Sequence, residues 1–149
     1  MSNPELFSVP AQPRDLDKVI ELLVACDLPS QDLTPSHLAS FQVVRQGNAL
    51  VGVGAVERFG DSGLLRSLAV APAYRGRKLG ADLVAKLELS ARQAVISDLY
   101  LLTVTAQAFF AKRGYEEIAR THVPATILGS AEFMSLCPAS AVCMRKRLT

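Results

Sequence analysis

The sequence predicts an α/β (α+β) domain in which a mixed, mostly antiparallel sheet of about six or seven strands is flanked by helices. The first observation is a hairpin pattern, since residues 41–45 and 49–58 are strand-like runs separated by a turn at 46–48. The second is a buried strand, residues 64–70, which leads through a basic turn into an amphipathic helix over 79–94. Strands that are joined first by hairpins and then through a helix imply both antiparallel and parallel pairing.

Local signals place the remaining elements along the chain. Residues 7–11 form a predicted short strand, and 14–25 a helix whose apolar residues share one face. Thr34 is expected to cap a short helix whose first residue is Pro35, and 121–138 is expected to be a loop. The last four segments are a nearly all-apolar strand, a short helix and two final strands, over residues 99–105, 107–113, 115–121 and 141–147.

Composition limits the classes of protein to consider. At 149 residues the chain is expected to form a single domain over residues 1–149, and with half of its residues hydrophobic it does not resemble a disordered chain. The net charge of +2 is too small to indicate a nucleic-acid or membrane partner. No apolar run approaches the roughly 20 residues of a membrane span. Residues 1–13 lack the pattern of a signal peptide, so a cytoplasmic location is expected.

The turn before the long helix is the most informative segment. It contains three cations, Arg75, Arg77 and Lys78, and two glycines, Gly76 and Gly80. The first N–H groups of a helix have no partner within the helix, and the helix dipole is positive at that end. Together with the cations, these donors predict a site for a phosphate-bearing ligand.

The turn resembles the pyrophosphate-binding signature of the GNAT superfamily of acetyl-CoA-dependent N-acetyltransferases, which the chain resembles along nearly its whole length. In that signature Arg or Gln is followed by any two residues, Gly, any residue, and Gly or Ala. Residues 101–103 and 108–115 resemble the second block of the family, a strand and then a helix that ends in Gly-Phe or Gly-Tyr. The resemblance implies the GNAT fold, in which the two central strands, 64–70 and 99–105, lie side by side and splay apart.

The resemblance also implies where acetyl-CoA, the acyl donor, would bind. The pyrophosphate would bind residues 75–81, and the pantetheine would pair with the exposed backbone of 68–70, as an added strand does. The residues expected to contact the cofactor are Leu68, Ala69, Val70, Arg75, Gly76, Arg77, Lys78, Leu79, Gly80, Ala81 and Phe110.

Two positions depart from the family pattern. Lys78 stands where the central glycine is usual; we expect right-handed helical backbone there, whereas a positive φ would weaken cofactor binding. Phe110 stands where the family has a tyrosine that protonates the departing thiolate, so another group protonates it or CoA leaves unassisted. The candidate substitutes are Tyr100, Tyr115 and Ser140, although each is explained more simply by packing or by a surface position.

The acceptor amine must lose a proton before it attacks a thioester, because an amine with a pKa near ~10.4 is almost wholly protonated at neutral pH. Glu57, late on the third strand, is the candidate general base, and it could equally be a solvated charge at the strand end. Alternation places four residues on one face of the next strand, Leu64, Arg66, Leu68 and Val70. Arg66 therefore either binds the carboxylate of an amino-acid-like acceptor or forms a structural ion pair.

The C-terminal block, residues 123–146, resembles small GNAT proteins associated with arsenic-resistance gene clusters, and the pattern of the chain is also similar to the acetyltransferase domain of N-acetylglutamate synthase. Both resemblances imply a small amino acid as acceptor, acetylated on its α-amino group.

The three cysteines, Cys26, Cys137 and Cys143, lack the spacing of a metal site, so no metal is expected and buried thiols are favoured over metalloid ligands. Of the two isolated histidines, His37 and His122, the second is a minor catalytic candidate.

These features predict an enzyme that transfers acetyl from acetyl-CoA directly to the amine of a small molecule, an amino acid or an analogue, with arsenic-related compounds included. A catalytically weak CoA-binding regulatory module on the same fold is the alternative, because Phe110 cannot donate a proton. A thiol-based metalloid sensor is a third interpretation. The resemblance also implies a homodimer formed through the last strands.

Overall fold

The computed structural model describes residues 6–76 and 78–149, and its elements follow the predicted order. The strands within the described part are β1 (Ser8–Pro10), β2 (Phe41–Gln46), β3 (Ala49–Phe59), β4 (Ser62–Val70), β5 (Asp98–Thr103), β6 (Glu116–Glu117) and β7 (Val142–Arg147). The α-helices there are α1 (Leu16–Ala25), α2 (Leu79–Gln93), α3 (Gln107–Ala111) and α4 (Ala125–Leu128). Short 3₁₀ turns cover Pro13–Asp15, Pro35–Ser40, Pro72–Tyr74 and Arg120–His122, and Glu132–Leu136 is π-helical.

The strands form one seven-stranded sheet in the order β1-β2-β3-β4-β5-β7-β6, which confirms the predicted mixed sheet. β1 with β2, β2 with β3, β5 with β7, and β6 with β7 are antiparallel. The ladder between β4 and β5 is parallel and pairs only Ser62, Gly63 and Leu64 with Asp98, Leu99 and Tyr100. This short ladder agrees with the divergence that was predicted for the two central strands.

The chain forms two compact units, and β3, β4 and α2 each contribute to both. The first unit contains the described residues of Met1–Ala55 and Ser67–Leu87. Its main core joins one face of α1 to β2 and β3 through Val19, Leu22, Leu23, Leu38, Phe41, Val43, Val53 and Ala55. A second cluster sets the start of α2 against the sheet through Val44, Val51, Leu79 and Leu83.

Gly54 shows how closely α2 approaches the sheet within this first unit. A Cβ atom at Gly54 would lie 2.9 Å from the Leu87 side chain and 3.1 Å from that of Leu68. Because carbon atoms do not approach so closely without a shift, the glycine permits this packing of helix against strand. The packing sets α2, at Leu87, directly against β3 and against Leu68 of β4.

The second unit contains Val56–Arg66 and Glu88–Thr149. Its core forms from residues of β4, β5 and β7 and from the segment after β6, through Leu64, Tyr100, Val123, Ile127, Phe133 and Cys143. Glu88 on α2 adds a buried polar group to this unit, and it accepts hydrogen bonds from Tyr115 and Lys146.

Two predictions about elements in the second unit are wrong. The strand predicted over 115–121 is reduced to Glu116–Glu117, and the predicted loop 121–138 contains α4 and the π-helix. Ile127 and Phe133 are buried in the core of the unit, and this burial stabilises helical turns that are too short to show a periodic pattern in the sequence.

The predicted alternation along β4 is also wrong beyond Arg66. Ser67 has a φ of 58°, so β4 contains one residue with left-handed backbone, which disturbs the alternation of side chains within the strand. Leu64 packs in the core of the second unit, whereas Leu68 and Val70 pack on the cluster at the start of α2. Residues 64–70 therefore do not present one continuous face.

A strained residue at the end of α2 gives a test of the described backbone. Val95 is 76% exposed and has a φ of 63°, while Ile96 N–H bonds the Ala91 carbonyl in the cap that ends the helix. Because a β-branched side chain is unfavourable in left-handed backbone, Val95→Gly should raise the free energy of unfolding by about 1 kcal/mol. The melting temperature should rise by roughly 2–4 °C; an unchanged or lower value would contradict the left-handed cap.

Candidate cofactor and acceptor sites

The basic turn between β4 and α2 has left-handed backbone at two positions. Gly76 has a φ of 81° and Lys78 a φ of 64°, so the expected right-handed backbone at Lys78 is wrong. A Cβ atom at Gly76 would meet nothing within 4 Å, so the turn stands open at that residue. Lys78 is exposed, and Arg77 lies outside the described residues.

The start of α2 offers backbone donors next to this turn. Asp82 N–H donates to the Lys78 carbonyl at 2.9 Å, so the helical bonding begins there. The amides of Leu79, Gly80 and Ala81 precede that bond and belong to the first turn, whose N–H groups have no acceptor within the helix. The Leu79 side chain is buried, so this residue would contribute to a ligand through its backbone. A 15-residue helix places the positive end of its dipole here.

Arg75 contacts the end of β4. Its Nε donates to the Val70 carbonyl at 3.0 Å, and its Nη2 lies 3.5 Å from the Cys26 Sγ. In this conformation the Arg75 guanidinium is engaged with the end of β4 and with Cys26. Its predicted role in binding pyrophosphate stays a prediction.

The end of β4 has the backbone geometry that the predicted pantetheine contact requires. Among the described residues, the β4–β5 register ends at Leu64, so Leu68–Val70 have no registered partner on β5. Leu68 and Val70 are half-buried, while the Ala69 side chain packs in the core with α1. A strand end without a registered partner on β5, followed by an open left-handed turn and a helix start, fits a ligand with an amide-containing arm and a phosphate group.

Arg66 lies at the centre of a buried ion cluster in the second unit. Its Nη1 is 2.6 Å from Glu57 Oε1, and its Nε is 3.4 Å from Glu132 Oε1. The Arg66 side chain is 1% exposed and that of Glu132 5%, whereas that of Glu57 is 24% exposed. The cluster joins one guanidinium to two carboxylates, and its more exposed member is the carboxylate of Glu57. Arg66 thus has carboxylate partners within the chain, and its role toward an acceptor stays a prediction.

Glu132 was not identified from the sequence. It lies in the segment that was interpreted as a loop, and nothing local links it to Arg66, which is 66 positions earlier in the chain. The available signal was the neighbouring Phe133, since an aromatic residue indicates a segment that packs against the domain.

Phe110 lies on α3, where its buried ring makes edge contacts with Phe109 and Tyr115. The Tyr115 hydroxyl donates to Glu88 Oε2 at 2.9 Å. Burial, and next the Glu88 carboxylate, raise the pKa of Tyr115 far above its usual value. Burial also raises the pKa of Tyr100. The Tyr115 hydroxyl is therefore already engaged with Glu88 and is not a ready proton donor for a departing thiolate, whereas Tyr100 stays a candidate.

The three thiols are free, and Cys143 is buried. Burial raises the pKa of both Cys137 and Cys143 to about 11, and Glu132 adds to the effect at Cys137. Both remain protonated at neutral pH, and a protonated thiol is a weak nucleophile and metal ligand. Within the described residues, no three His, Cys, Asp or Glu side chains form a group that could hold a metal ion.

The histidines have local or exposed positions. His37 Nδ1 accepts a hydrogen bond from Thr34 N–H at 3.0 Å, at the start of the 3₁₀ helix that Thr34 was expected to cap. His122 is exposed in a 3₁₀ turn.

In the described part of the chain, no helix combines the length and the apolar character that crossing a bilayer requires.

Comparison with known proteins identifies the family. Residues 37–117 match the family described as the acetyltransferase (GNAT) domain. The match covers more than half of the 149 residues, and the chain belongs to the GNAT acetyltransferase family.

Curated relatives are amino-acid acetyltransferases. The chain is 30% identical over 98 residues to the amino-acid acetyltransferase of Ectopseudomonas mendocina, a match that covers 64% of this chain and 23% of that protein. The corresponding protein of Pseudomonas putida is 31% identical over 98 residues, with the same coverage. The chain thus spans about a quarter of the length of the curated relatives that it matches.

Solved structures share the fold. N-acetylglutamate synthase from Neisseria gonorrhoeae, complexed with coenzyme A and N-acetyl-glutamate, has a TM-score of 0.86 at 22% identity, over 99% of this chain and 36% of that one. Rv2747 from Mycobacterium tuberculosis, in complex with CoA and NLQ, has a TM-score of 0.82 at 25% identity, over 96% and 99% of the two chains. These likenesses confirm the predicted GNAT fold.

Substitutions at Lys78 separate backbone strain from charge. Lys78→Gly removes both the strain and the cation, whereas Lys78→Ala removes only the cation. Because the turn is left-handed in the free protein, the strain acts on folding, and the glycine variant should be more stable than the alanine variant by about 1 kcal/mol. Both should bind acetyl-CoA roughly two- to fivefold more weakly than the wild type at low salt, and the difference should shrink at high salt. Tighter binding by Lys78→Gly alone would show that strain limits affinity.

Tyr115→Phe tests whether this buried hydroxyl has a catalytic role. The variant loses a hydrogen bond to a buried carboxylate, so the free energy of unfolding should fall by about 1.5–3 kcal/mol. Acceptor-dependent release of CoA should be unchanged at a temperature where the variant is folded. A more than tenfold loss of rate in a folded variant would instead make Tyr115 the group that protonates the thiolate.

Proposed function

We propose that this protein is an acetyl-CoA-dependent N-acetyltransferase that moves acetyl directly onto the amine of a small molecule, an amino acid or a close analogue. The observation that carries the proposal is the succession of a strand end without a β5 partner, an open left-handed turn and the start of α2. Membership of the GNAT acetyltransferase family supports the reaction class.

The donor half of the proposal uses the first unit. The amides of Leu79, Gly80 and Ala81 would bind the pyrophosphate, with Lys78 as a nearby cation. The backbone of Leu68–Val70 would pair with the pantetheine. The glycine at position 76 leaves the turn open to the ligand.

The acceptor half uses the ion cluster in the second unit. An α-amine arrives largely as an ammonium ion, which the partly exposed carboxylate of Glu57 would attract. Glu57, the exposed member, would accept the proton, and the freed amine would attack the thioester carbonyl. The C–N bond then forms as the C–S bond breaks; the nitrogen loses its second proton, and the departing thiolate of CoA takes up a proton, so the products are the amide and the CoA thiol. Arg66 would orient Glu57; direct binding of the acceptor's carboxylate by Arg66 is the competing role.

The names of the curated relatives support an amino acid as the acceptor class. Arsenic-containing and phosphinic analogues belong in the same class, because they present the same amine beside a different acid group. A single domain over residues 1–149, a cytoplasmic location and a homodimer remain predictions.

A CoA-release assay over amino acids and their analogues tests the proposal. The wild type should release CoA in an acceptor-dependent manner, and Glu57→Gln should lower kcat for that acceptor by roughly 10²-fold or more. Glu117→Gln, an exposed carboxylate on β6, is the matched control and should retain the wild-type rate. Binding of acetyl-CoA without acceptor-dependent release would favour a CoA-binding regulatory module instead.

A further inference from the structure

Arg75 connects the basic turn to the carbonyl of Val70, the last residue of β4. Its Nε donates to this carbonyl at 3.0 Å, and its Nη2 lies 3.5 Å from the Sγ of Cys26 at the end of α1. The Cys26 thiol also donates to the Val70 carbonyl, with 3.8 Å between sulfur and oxygen. A backbone carbonyl has two lone pairs. In the free protein both are therefore engaged by side chains of the first unit itself.

The direction of the Val70 carbonyl follows from the peptide bond between Val70 and Ala71. Ala71 N–H donates to the Val51 carbonyl on β3 at 2.8 Å. Because this peptide bond is trans, its C=O points opposite to its N–H, so the Val70 carbonyl points away from β3. On that side the register with β5 has already ended, at Leu64. Arg75 thus holds a carbonyl on the side where the proposed pantetheine arm would add as a strand.

A phosphate at the turn would compete for the same guanidinium. Arg75 is exposed, and the next residue is Gly76, where the turn stands open. The planar guanidinium matches two oxygens of a phosphate, and such a pair, with charge on both partners, is stronger than a single hydrogen bond to a neutral carbonyl. A phosphate that reaches the turn should therefore draw Arg75 away from Val70.

We propose that Arg75 couples the two halves of the donor site. It holds the Val70 carbonyl in the free protein and moves to the phosphate when the donor binds, which frees the carbonyl to accept a hydrogen bond from an amide N–H of the pantetheine arm. This inference rests on the proposed function, in which acetyl-CoA is the donor. It makes Arg75 a specificity-determining residue, because ligands with both a phosphate and an amide arm are favoured over ligands with the arm alone.

Two fragments of the donor separate these halves. Pantetheine has the amide arm without a phosphate, and adenosine 3′,5′-bisphosphate has phosphates without the arm; NMR titration measures the weak binding of such fragments. In the wild type, saturating bisphosphate should tighten pantetheine binding roughly threefold or more, because it removes Arg75 from the Val70 carbonyl. An unchanged dissociation constant for pantetheine would overturn the proposal, and this comparison needs no variant.

Arg75→Ala should change the two affinities in opposite directions. The variant should bind pantetheine alone roughly threefold more tightly than the wild type, and the bisphosphate roughly three- to tenfold more weakly. The bisphosphate should then have no effect on pantetheine binding. If the variant bound pantetheine equally or more weakly, as expected when Arg75 only braces the end of β4, the proposal would be wrong.

Lys86→Ala is the matched control, since it removes an exposed cation farther along α2. It should keep the wild-type dissociation constant for pantetheine and the wild-type effect of the bisphosphate on it. If this control lost the coupling as well, the coupling would come from the positive charge of the surface in general, and the role assigned to Arg75 would fail. Melting temperatures check that both variants are folded.

Titration with whole acetyl-CoA distinguishes failure of this inference from failure of the proposed function. If the wild type does not bind acetyl-CoA, the proposed function is wrong and this inference falls with it. If the wild type binds acetyl-CoA and releases CoA with an acceptor, while its two fragments bind independently, only the role of Arg75 is wrong.

Discussion

The parallel ladder between β4 and β5 ends after three residue pairs, at Leu64 and Tyr100. The candidate cofactor site depends on this early end of the pairing, because Leu68–Val70 then have no registered partner on β5. Backbone N–H and C=O groups of a strand require partners, and a strand that leaves its neighbour must find them elsewhere. Beyond Leu64, β4 passes the left-handed Ser67 and continues as Leu68–Val70. In the proposed function, an extended ligand with amide groups would pair with the side of this stretch that has no registered partner on β5. The same strand then delivers the chain to the open turn at the start of α2.

A second constraint is the full burial of the Arg66 guanidinium. A buried guanidinium must be paired, and the two carboxylates come from distant parts of the sequence, β3 and the π-helix. In the proposed function, the carboxylate of Glu57 that pairs with Arg66 is also the group that would accept the proton of the acceptor amine.

Much of the fold could be predicted because its signals are local. The hairpin of β2 and β3, the long amphipathic α2 and the cap at Thr34 each follow from spacing within about a dozen residues. The basic turn was predicted to bind phosphate from its cations and glycines; that role stays a prediction, and Arg77 lies outside the described part. The left-handed backbone at Lys78 was not predicted, because lysine rarely adopts it and the surrounding turn imposes it.

The candidate acceptor site was harder to predict because its contacts are long-range. Arg66 could be recognised as a lone cation in an apolar strand, yet its partner Glu132 sits in a turn of five residues without periodicity. Ser67 gives no sign in the sequence that it interrupts the alternation of β4. Such features depend on which elements meet in the folded chain, and composition and spacing do not encode that directly.

Amide hydrogen exchange with and without ligand tests most directly whether the end of β4 binds the acetyl donor. Acetyl-CoA should slow exchange both at Leu68–Val70 and at the first turn of α2. Adenosine 3′,5′-bisphosphate, which lacks the pantetheine arm, should slow exchange only at the first turn of α2. If acetyl-CoA binds and leaves exchange at Leu68–Val70 unchanged, the end of β4 does not hold the donor, and the account of the cofactor site is wrong.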